Sequence, residues 1–376
     1  MSPVAADWAG RVGLLLGSST GGIGQHVASL ARGLVVAGVH VTVGGPATTE
    51  RQFRFTGGGA RFLPVEIPAN PTLADARAVG AVRRALADEV DVVHAHGLRA
   101  GFVAALARTG RPLVVTWHNA VMTSGLRGRA SRLVERVVAR AASITLGASD
   151  DLVRRAAALG ARDARLGAVA APVLPPSRRS AAAVRAELGV GPNQALILSV
   201  GRLHPQKGYD VLIAAAGRWR TTRPAPLVVI AGSGPSYLDL AARISAARAP
   251  VQLLGHRDDV ADLLAAADLA VVTSVWEARQ LFAQEALRTG TPLVATAVGG
   301  IPDLVGEAAV LIPPGDVDAV DDAVRRMLAD PLLRAEYARR GPARAATWPT
   351  IRDTVEQVLG VYAELAPAAG GHSGRS

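Results

Sequence analysis

Short apolar runs alternate with amphipathic segments along almost the whole chain, and this alternation limits the fold more than any other feature of the sequence. The runs are rich in aliphatic residues, as buried strands are, and most segments between them carry apolar residues at helical spacing. Regular alternation of strand and helix predicts parallel, doubly wound sheets. The predicted strands are 11–16, 40–44, 91–94, 112–116, 143–146, 195–200, 227–231, 251–254, 269–272 and 292–296.

The alternation is interrupted at APVLPPSRRS (171–180), which contains three prolines and two arginines. A chain of 376 residues is long enough for two domains. We therefore predict an N-terminal domain over 1–172 and a C-terminal domain over 191–345, joined by a linker over 173–190. A last helix over 346–366 is expected to pack back on the N-terminal domain, and the tail at 367–376 is expected to be disordered.

Positive charge is concentrated in the first half of the chain. Residues 1–180 contain 22 arginines and 11 acidic residues, whereas 181–376 contain 19 basic and 20 acidic residues. This favours an anionic partner, such as a membrane surface or a phosphorylated acceptor, although an arginine-rich composition explains it as well. An arginine-studded helix at 123–140 fits either a membrane interface or an ordinary surface. Aromatic residues make up only 4% of the chain, so we expect no nucleic-acid partner.

The chain contains no cysteine, which excludes disulfides and thiolate chemistry and fits a reducing compartment. Its N-terminal apolar window spans only residues 12–18, which predicts a first buried strand rather than a signal peptide or an anchor. We therefore expect a cytoplasmic protein, with peripheral attachment to the inner face of the membrane as the open alternative.

A glycine-rich turn follows the first predicted strand and leads into an amphipathic helix. Gly21 and Gly22 lie in this turn, where backbone N–H groups at a helix N-terminus can approach a phosphate. A nicotinamide-dependent dehydrogenase also places glycines here. The spacing lacks its third glycine, however, and no acidic residue ends the strand at 40–44, so we set this class aside.

Histidines lie at the ends of two predicted strands. His94 and His96 belong to HAHG (94–97), and His118 ends TWH (116–118). Ligands in open α/β sheets bind at the carboxyl ends of strands, so these side chains are candidates for a site. No third ligand is evident near the pair His94 and His96, and we therefore predict no metal. His118 is the stronger catalytic candidate, with an orienting role as the alternative.

Lys207 is the single lysine in a chain with 40 arginines. It lies with Arg202 in GRLHPQKG (201–208), a tight turn between a predicted strand and a predicted helix. A compact ammonium and a guanidinium fork at a strand end suit a diphosphate. We predict that the two residues bind one, and two solvated loop cations are the alternative.

Glu277 and Glu285 are separated by seven residues in the segment after the strand at 269–272. This segment predicts a loop that carries Glu277 and a helix that carries Glu285. Ionised carboxylates accept the hydrogen bonds that sugar hydroxyls donate. The pair predicts a sugar-binding site, whereas a carboxylate at a helix start and a solvated helix residue are the alternative.

Together these motifs resemble the retaining glycosyltransferases of the GT-B fold, in particular the family 4 group. The resemblance implies an α/β protein with two doubly wound Rossmann-like domains that face a central cleft. It also implies transfer of a hexose from a nucleoside-diphosphate sugar to an unidentified acceptor. The matching segments are GGIG (21–24), HAHG (94–97), TWH (116–118), VGRLHPQKG (200–208), AGSGP (231–235), LLGHRDDVADLLAAADL (253–269), 277–285, GTPLVATAVGGIPDLV (290–305) and a final helix entered through Trp348.

The resemblance assigns candidate residues to each group of the donor. Enzymes of this family are typically independent of metal, and we expect no cofactor. Retention is expected by attack on the same face of the sugar, with the leaving phosphate taking the acceptor's proton. The assigned residues are Arg202, Lys207, Gly21, Gly22 and Leu281 for the diphosphate, Glu285 for the ribose, Glu277 and His118 for the donor sugar and the reacting carbon, and His256 and Arg257 for the base.

One segment departs from the pattern of the family. Members usually carry Gly-Phe-Gly or a similar run of small residues after the first glutamate, where this chain has Ala278, Arg279 and Gln280. Two alternatives therefore stay open, namely an inert GT-B protein that binds nucleotide-sugar or glycan, and a sugar-nucleotide epimerase. A pyridoxal-dependent phosphorylase is disfavoured, because its lysine would have to be Lys207, which lies in the wrong element.

Overall fold

The computed structural model describes residues 8–19, 21–68, 75–120, 125–170 and 174–366. Within these ranges the strands form two parallel sheets, one in each of two units. The first unit consists of residues 1–172 and 349–376, and the second consists of residues 173–348. The prediction of doubly wound parallel sheets is confirmed.

The first unit contains a seven-stranded sheet with helices between the strands. Its strands are β1 (Arg11–Leu16), β2 (His40–Gly45), β3 (Arg61–Pro64), β4 (Val92–His96), β5 (Leu113–Trp117), β6 (Ile144–Gly147) and β7 (Ala164–Leu166). The sheet order is β3-β2-β1-β4-β5-β6-β7, so the winding reverses between β1 and β4. Its helices are α1 (Gly22–Val36), α2 (Ala47–Phe53), α3 (Asp75–Leu86), α4 (Leu98–Ala107), α5 (Gly125–Ala141), α6 (Asp150–Ala158) and the C-terminal α15 (Ile351–Leu365).

The second unit contains a six-stranded sheet of the same kind. Its strands are β8 (Leu196–Val200), β9 (Leu227–Ala231), β10 (Val251–Gly255), β11 (Leu269–Val272), β12 (Leu293–Thr296) and β13 (Val310–Ile312). The sheet order is β10-β9-β8-β11-β12-β13. Its helices are α7 (Ala181–Glu187), α8 (Tyr209–Trp219), α9 (Tyr237–Ala247), α10 (Val260–Ala266), α11 (Leu281–Thr289), α12 (Ile301–Val305), α13 (Val317–Ala329) and α14 (Pro331–Ala345).

Side chains on both faces of the second sheet are buried. Along β8, Leu196 and Leu198 belong to one hydrophobic cluster, and Ile197 belongs to the cluster on the opposite face. Successive side chains of a strand point to opposite faces, so a sheet covered on both sides needs an apolar residue at every position. This is why the strands appear in the sequence as continuous apolar runs.

The C-terminal helix α15 packs in the core of the first unit. Val358, Leu359 and Tyr362 are buried there in the same cluster as the strand residues. Val355 lies so close to Gly33 of α1 that a Cβ on the glycine would come within 2.5 Å of its Cγ2. The first unit is therefore built from both ends of the chain.

The structure differs from the prediction at the linker over 173–190. Helix α7 lies within this range, and both Val184 and Leu188 are buried in a core cluster of the second unit. Ser180 begins the helix, since its side chain accepts a hydrogen bond from the backbone N–H of Ala183. The sequence did not predict this short helix, because the prolines before Ser180 favoured a linker. The segment is thus part of the second unit rather than a free connection.

None of the helices in the described ranges is long and apolar enough to cross a membrane. Helix α5 covers most of the arginine-studded segment, and two of its apolar residues differ in environment: Val138 is buried whereas Leu133 is 63% exposed. Residues 123 and 124 of that segment and the tail at 367–376 lie outside the described residues.

Candidate active site

Three loops meet at the carboxyl edge of the second sheet. They follow β8, β11 and β12, which are neighbours in that sheet. Parallel strands end at the same edge, and ligands bind there in open α/β sheets. The loop after β8 carries Lys207, the loop after β11 carries Glu277, and the loop after β12 carries Gly299 and Gly300. The predicted diphosphate and sugar motifs therefore lie on adjacent loops.

Lys207 and Glu277 form a direct ion pair. Lys207 Nζ lies 2.5 Å from Glu277 Oε1, and the same oxygen accepts a hydrogen bond from Ser274 Oγ at 2.8 Å. The side chains of Lys207 and Glu277 are only 18% and 11% exposed, so their attraction is screened by water less than that of a surface pair. The structure thus brings the single lysine and the first glutamate of the motif together.

Backbone contacts fix the loop after β8 against the loop after β11. Val275 N donates to Gln206 O at 2.8 Å, and Gln206 Nε2 donates to Trp276 O at 2.8 Å. Gly208 has φ of +61°, and an added Cβ there would lie 2.1 Å from the carbonyl oxygen of Thr273. Only glycine permits this approach and this conformation. The ion pair is therefore held by two loops that cannot easily separate.

The loop after β12 supports Glu277 through its backbone. Gly300 N donates to Glu277 O at 2.9 Å. Gly299 has φ of +53°, and an added Cβ there would lie 2.0 Å from the same carbonyl oxygen. The two glycines thus set the position of the main chain that carries the Glu277 carboxylate.

Glu285 lies on α11 and its side chain is buried. Gln280 caps this helix, because its Oε1 accepts a hydrogen bond from Ala283 N at 3.0 Å. Burial raises the pKa of Glu285 to about 7, and the nearby Arg288 opposes this only in part. A ligand that donates hydrogen bonds to this carboxylate would favour its ionised form.

Arg279 packs along α11. Its Nη2 lies 3.5 Å from Gln284 Oε1, and its Nε is buried with no hydrogen-bond partner among the described residues. Burial, together with repulsion from Arg288 and Arg344, lowers its pKa to about 10. Ala278 beside it is buried as well. Arg279, which replaces a residue of the run expected from the family, is thus a half-buried cation whose Nε has no hydrogen-bond partner among the described residues.

The other two residues assigned to the diphosphate lie at the same edge of the second unit. Arg202 follows the last residue of β8 by two positions and is exposed, and Leu281 is the first residue of α11. Both positions follow strands at the edge where Lys207 and Glu277 meet.

The two residues assigned to the base have carboxylate partners within the protein. Arg257 lies 2.6 Å from Asp259 and 2.8 Å from Glu187, and His256 lies 2.9 Å from Asp258. A contact between the Arg257 side chain and a base would have to compete with two carboxylates.

Gly21 and Gly22 lie at the start of α1 in the first unit, Gly21 as the N-cap and Gly22 as the first helical residue. An added Cβ at either position would meet nothing within 4 Å among the described residues, whereas at Gly24 it would lie 2.1 Å from the ring of Phe53. Packing within the protein therefore explains why position 24 is a glycine. It does not explain the glycines at positions 21 and 22, where the main chain is open to a ligand.

His94 is a structural residue of the first unit. Its Nδ1 lies 2.7 Å from Tyr362 Oη, and its Nε2 lies 2.7 Å from Thr116 Oγ1. Burial lowers the pKa of His94 to about 3. Both ring nitrogens are occupied by contacts that join β4 to β5 and to α15. The strand β4 also extends to His96, beyond its predicted end at His94.

His96 and His118 instead belong to a cluster with His26 of α1. His96 Nδ1 lies 3.4 Å from His118 Nε2. The ring centroid of His26 lies 5.4 Å from that of His96 and 5.1 Å from that of His118. Burial lowers the pKa of His26 to about 4 and holds those of His96 and His118 well below the usual value. The sequence predicted no third ligand near the pair His94 and His96; in the structure His26 and His118 lie beside His96, and His94 is not part of this cluster.

Sequence reasoning missed His26 and Ser274. His26 occupies an inward position of α1 between apolar residues, so a polar residue on the buried face was the available signal. Ser274, which hydrogen-bonds Glu277, precedes it by three positions and carries no distinctive pattern.

Two family models match the chain. The model described as "Glycosyl transferase 4-like domain" matches residues 21–172, and the model described as "Glycosyl transferases group 1" matches residues 181–344. Between them they cover both units and include the ion pair, the two glycines at the start of α1 and the three clustered histidines.

Individual proteins are similar to all or part of the chain. D-inositol 3-phosphate glycosyltransferase of Acidothermus cellulolyticus is 31% identical over 91% of this chain and 85% of its own length. Glycogen synthase of Mycobacterium tuberculosis is 37% identical over 43% of this chain and 41% of its own length. Anabaena HepE, solved in complex with UDP-glucose, is similar in structure with a TM-score of 0.79 and 21% identity over 95% of this chain and all of that chain.

Proposed function

The chain belongs to the group 1 glycosyltransferases and has the GT-B fold, and from this premise we propose that it transfers a hexose from a UDP-sugar to a phosphorylated polyol. The reaction is proposed to retain the configuration of the anomeric carbon and to need no metal ion. The observation that carries the proposal is the buried ion pair of Lys207 and Glu277 at the carboxyl edge of the second sheet.

The cation and the carboxylate of this ion pair are proposed to bind the two halves of the nucleotide-sugar. Lys207 offers its ammonium to the diphosphate, supported by Arg202, and Glu277 accepts hydrogen bonds from the hydroxyls of the sugar. Glu285, eight residues further on in α11, accepts hydrogen bonds from the hydroxyls of the ribose in its ionised form. Positive groups held in a poorly solvated site stabilise the diphosphate as it departs, which is the task that a metal ion performs in other transferases.

Bond changes in the proposed reaction balance without an enzymic nucleophile. The bond between the anomeric carbon and the diphosphate oxygen breaks, and the acceptor oxygen bonds to the same face of the carbon. The proton of the acceptor hydroxyl passes to the leaving phosphate oxygen. His118 is proposed to contact the donor sugar near the reacting carbon, and the open main chain at Gly21 and Gly22 to contact the phosphates.

The similar proteins and the charge of the chain support the choice of donor and acceptor. HepE has been solved with UDP and with UDP-glucose, and the Acidothermus relative is named for an inositol phosphate acceptor. The excess of arginine over acidic residues in 1–180 favours an acceptor that carries phosphate.

The direct test incubates the purified protein, in EDTA, with UDP- and GDP-sugars and a panel of acceptors. The panel contains inositol 3-phosphate, unphosphorylated inositol and glycogen. We expect UDP release with one UDP-sugar that depends on the phosphorylated acceptor, and NMR of the product to show the anomeric configuration of the donor. Failure to bind or slowly hydrolyse any donor would contradict the proposal.

A binding protein without activity is the second candidate, because Ala278, Arg279 and Gln280 stand where members of the family usually have Gly-Phe-Gly or a similar run. It predicts that UDP-sugar binds while turnover is absent with every acceptor and with cell extract. An epimerase predicts a changed sugar in the absence of any acceptor, which the same NMR spectra would reveal.

Replacing Lys207 tests the observation on which the proposal depends. The variant Lys207→Met should weaken UDP binding roughly ten- to hundredfold, since a hydrogen bond to a charged group contributes about 1.5–3 kcal/mol. Isothermal titration calorimetry with UDP measures this. Arg326→Ala, which removes an exposed cation of α13 in the same unit, is the matched control and should bind as the wild type does. Equal affinities for both variants would exclude Lys207 from the diphosphate site.

A further inference from the structure

Three imidazoles from three different elements converge in the first unit. His26 comes from α1, His96 from the end of β4 and His118 from the position after β5. One ring nitrogen from each lies within 4.8 Å of the other two. We propose that these three histidines bind one divalent transition metal ion, of which zinc suits them best, and that the bound metal inhibits the transferase by withdrawing His118 from the donor sugar. The inhibitory part rests on the proposed function, whereas the metal site does not.

The spacing of the nitrogens fits a tetrahedral ion. Zinc binds imidazole nitrogen at about 2.0–2.1 Å, and two ligands of a tetrahedron at that distance are about 3.3–3.4 Å apart. His96 Nδ1 and His118 Nε2 are 3.4 Å apart. One ring nitrogen from each of the three histidines lies within 4.8 Å of the other two, which exceeds the separation in a tetrahedral zinc site by about 1.4 Å at most.

The hydrogen bonds of the protein leave this cluster incompletely satisfied. Nδ1 of His26 and Nε2 of His96 are buried and have no hydrogen-bond partner among the described residues. His94, two residues before His96 on β4, differs because both of its ring nitrogens have partners at 2.7 Å. Buried polar atoms without partners are uncommon in folded proteins. The cluster therefore has unused bonding capacity that His94 lacks.

The chemistry of the three side chains selects the class of metal. A neutral imidazole is the form that binds a metal ion, and burial keeps the pKa of all three rings below the usual value. Imidazole favours zinc, cobalt, nickel and copper, whereas magnesium and calcium require oxygen ligands. Three protein ligands also leave a fourth tetrahedral position for water or a substrate. Such a site would respond to zinc without making the transfer reaction dependent on magnesium.

The test uses the full-length protein without a polyhistidine tag, stripped of metal with EDTA and dialysed. Titration with Co²⁺ followed by visible absorption should show one equivalent bound with the intense d–d bands of a tetrahedral ion. Zn²⁺ should displace the cobalt and abolish these bands. The variant His26→Ala should weaken cobalt binding at least about 10–100-fold. Replacing a residue that only supports a metal ligand already has an effect of this size, and His26 is proposed to bind the metal directly. His26→Gln, which keeps a polar group in the buried position, guards against a folding defect, and both variants are checked by thermal melting.

Surface binding is controlled with His40→Ala, which removes an exposed histidine of the same unit and should leave the cobalt spectrum unchanged. The proposal is overturned if the wild type shows no stoichiometric tetrahedral spectrum, or if His26→Ala and His26→Gln bind cobalt as well as the wild type does. Zinc that binds without slowing turnover overturns the inhibitory part alone. A metal-free enzyme without turnover contradicts the proposed function, and the cobalt spectrum still decides the metal site.

Discussion

Glu285 illustrates how burial alone changes the behaviour of one residue. Its pKa is raised to about 7 by burial from the usual 4.5, so the folded protein holds this proton more tightly than the unfolded chain does. The stability it contributes is fully present below about pH 4.5 and is lost as the pH rises through about 7, by roughly 3 kcal/mol. The variant Glu285→Gln has no ionisable group at this position and lacks this pH-dependent contribution to stability. Urea unfolding of both proteins from pH 4.5 to 8 should show the free energy of unfolding of the wild type falling relative to the variant.

The exposed carboxylate variant Glu307→Gln serves as the control, and its curve should follow that of the wild type. Parallel curves for the wild type and Glu285→Gln would show that this carboxylate ionises as freely in the folded protein as in water. The same ionisation predicts a functional effect: UDP should bind more tightly as the pH rises through about 7, since only the carboxylate form accepts both ribose hydroxyls.

At the scale of single residues, the sequence predicted those whose chemistry departs from their surroundings. Lys207 was found as the one lysine among arginines, and Glu277 by its place after an apolar strand. Their contact at 2.5 Å was not predictable, because it depends on which strands are neighbours in the sheet. His26 was missed because helical periodicity assigns its position to the core, where it does lie.

At the scale of elements, the ten predicted strands agree with the structure to within a few residues, whereas β3, β7 and β13 were not predicted. In the second sheet the agreement follows from the cover on both faces, which makes the central strands continuous apolar runs. Short helices were harder. The helix α7 has only seven residues and directly follows a proline-rich segment, so local pattern favoured a linker. The position of this helix is decided by the burial of Val184 and Leu188 in the core of the second unit, which local sequence does not reveal.

The loop after β12 is expected to position Glu277. Two glycine variants distinguish the effect of moving this loop from the effect of backbone strain alone. Gly299 and Gly315 both have positive φ, so alanine at either costs about 1–2 kcal/mol in conformational strain. An added Cβ at Gly299 lies 2.0 Å from Glu277 O, whereas at Gly315 it meets nothing within 4 Å. Gly299→Ala must therefore displace the loop that carries Glu277, and a shift of about 1 Å can cost a hundredfold in activity.

We expect Gly315→Ala to be less stable than the wild type but unchanged in UDP binding and turnover. Gly299→Ala should lose at least about tenfold in turnover beyond its loss of stability. Thermal melting and calorimetry with UDP measure the two effects separately. Equal turnover in the two variants would show that the contact between Gly299 and the Glu277 carbonyl has no part in positioning the site.

At the scale of the whole molecule, the two units differ in how the chain builds them. The second unit is formed by the continuous segment 173–348, whereas the first needs residues from both ends of the chain. Five hydrophobic side chains of α15 belong to the core cluster of the first unit: Val355, Val358, Leu359, Val361 and Tyr362. At about 1.5–3 kcal/mol for each buried side chain, their removal is comparable to the whole stability of a typical domain, about 5–15 kcal/mol.

Truncation after residue 348 should therefore unfold the first unit and leave the second folded. Hydrogen exchange followed by mass spectrometry should show β1, β4 and β5 losing protection while β8, β9 and β11 keep it. Because Lys207, Glu277 and Glu285 all lie in the second unit, the truncated chain should still bind UDP, with reduced affinity if Gly21 and Gly22 contribute. The milder variant Tyr362→Phe keeps the packed ring but removes the hydrogen bond to His94, and should cost about 1–3 kcal/mol. If the truncated chain kept protection in β1 and β4, the first unit would be stable without α15, and its core would be formed by residues 1–172 alone.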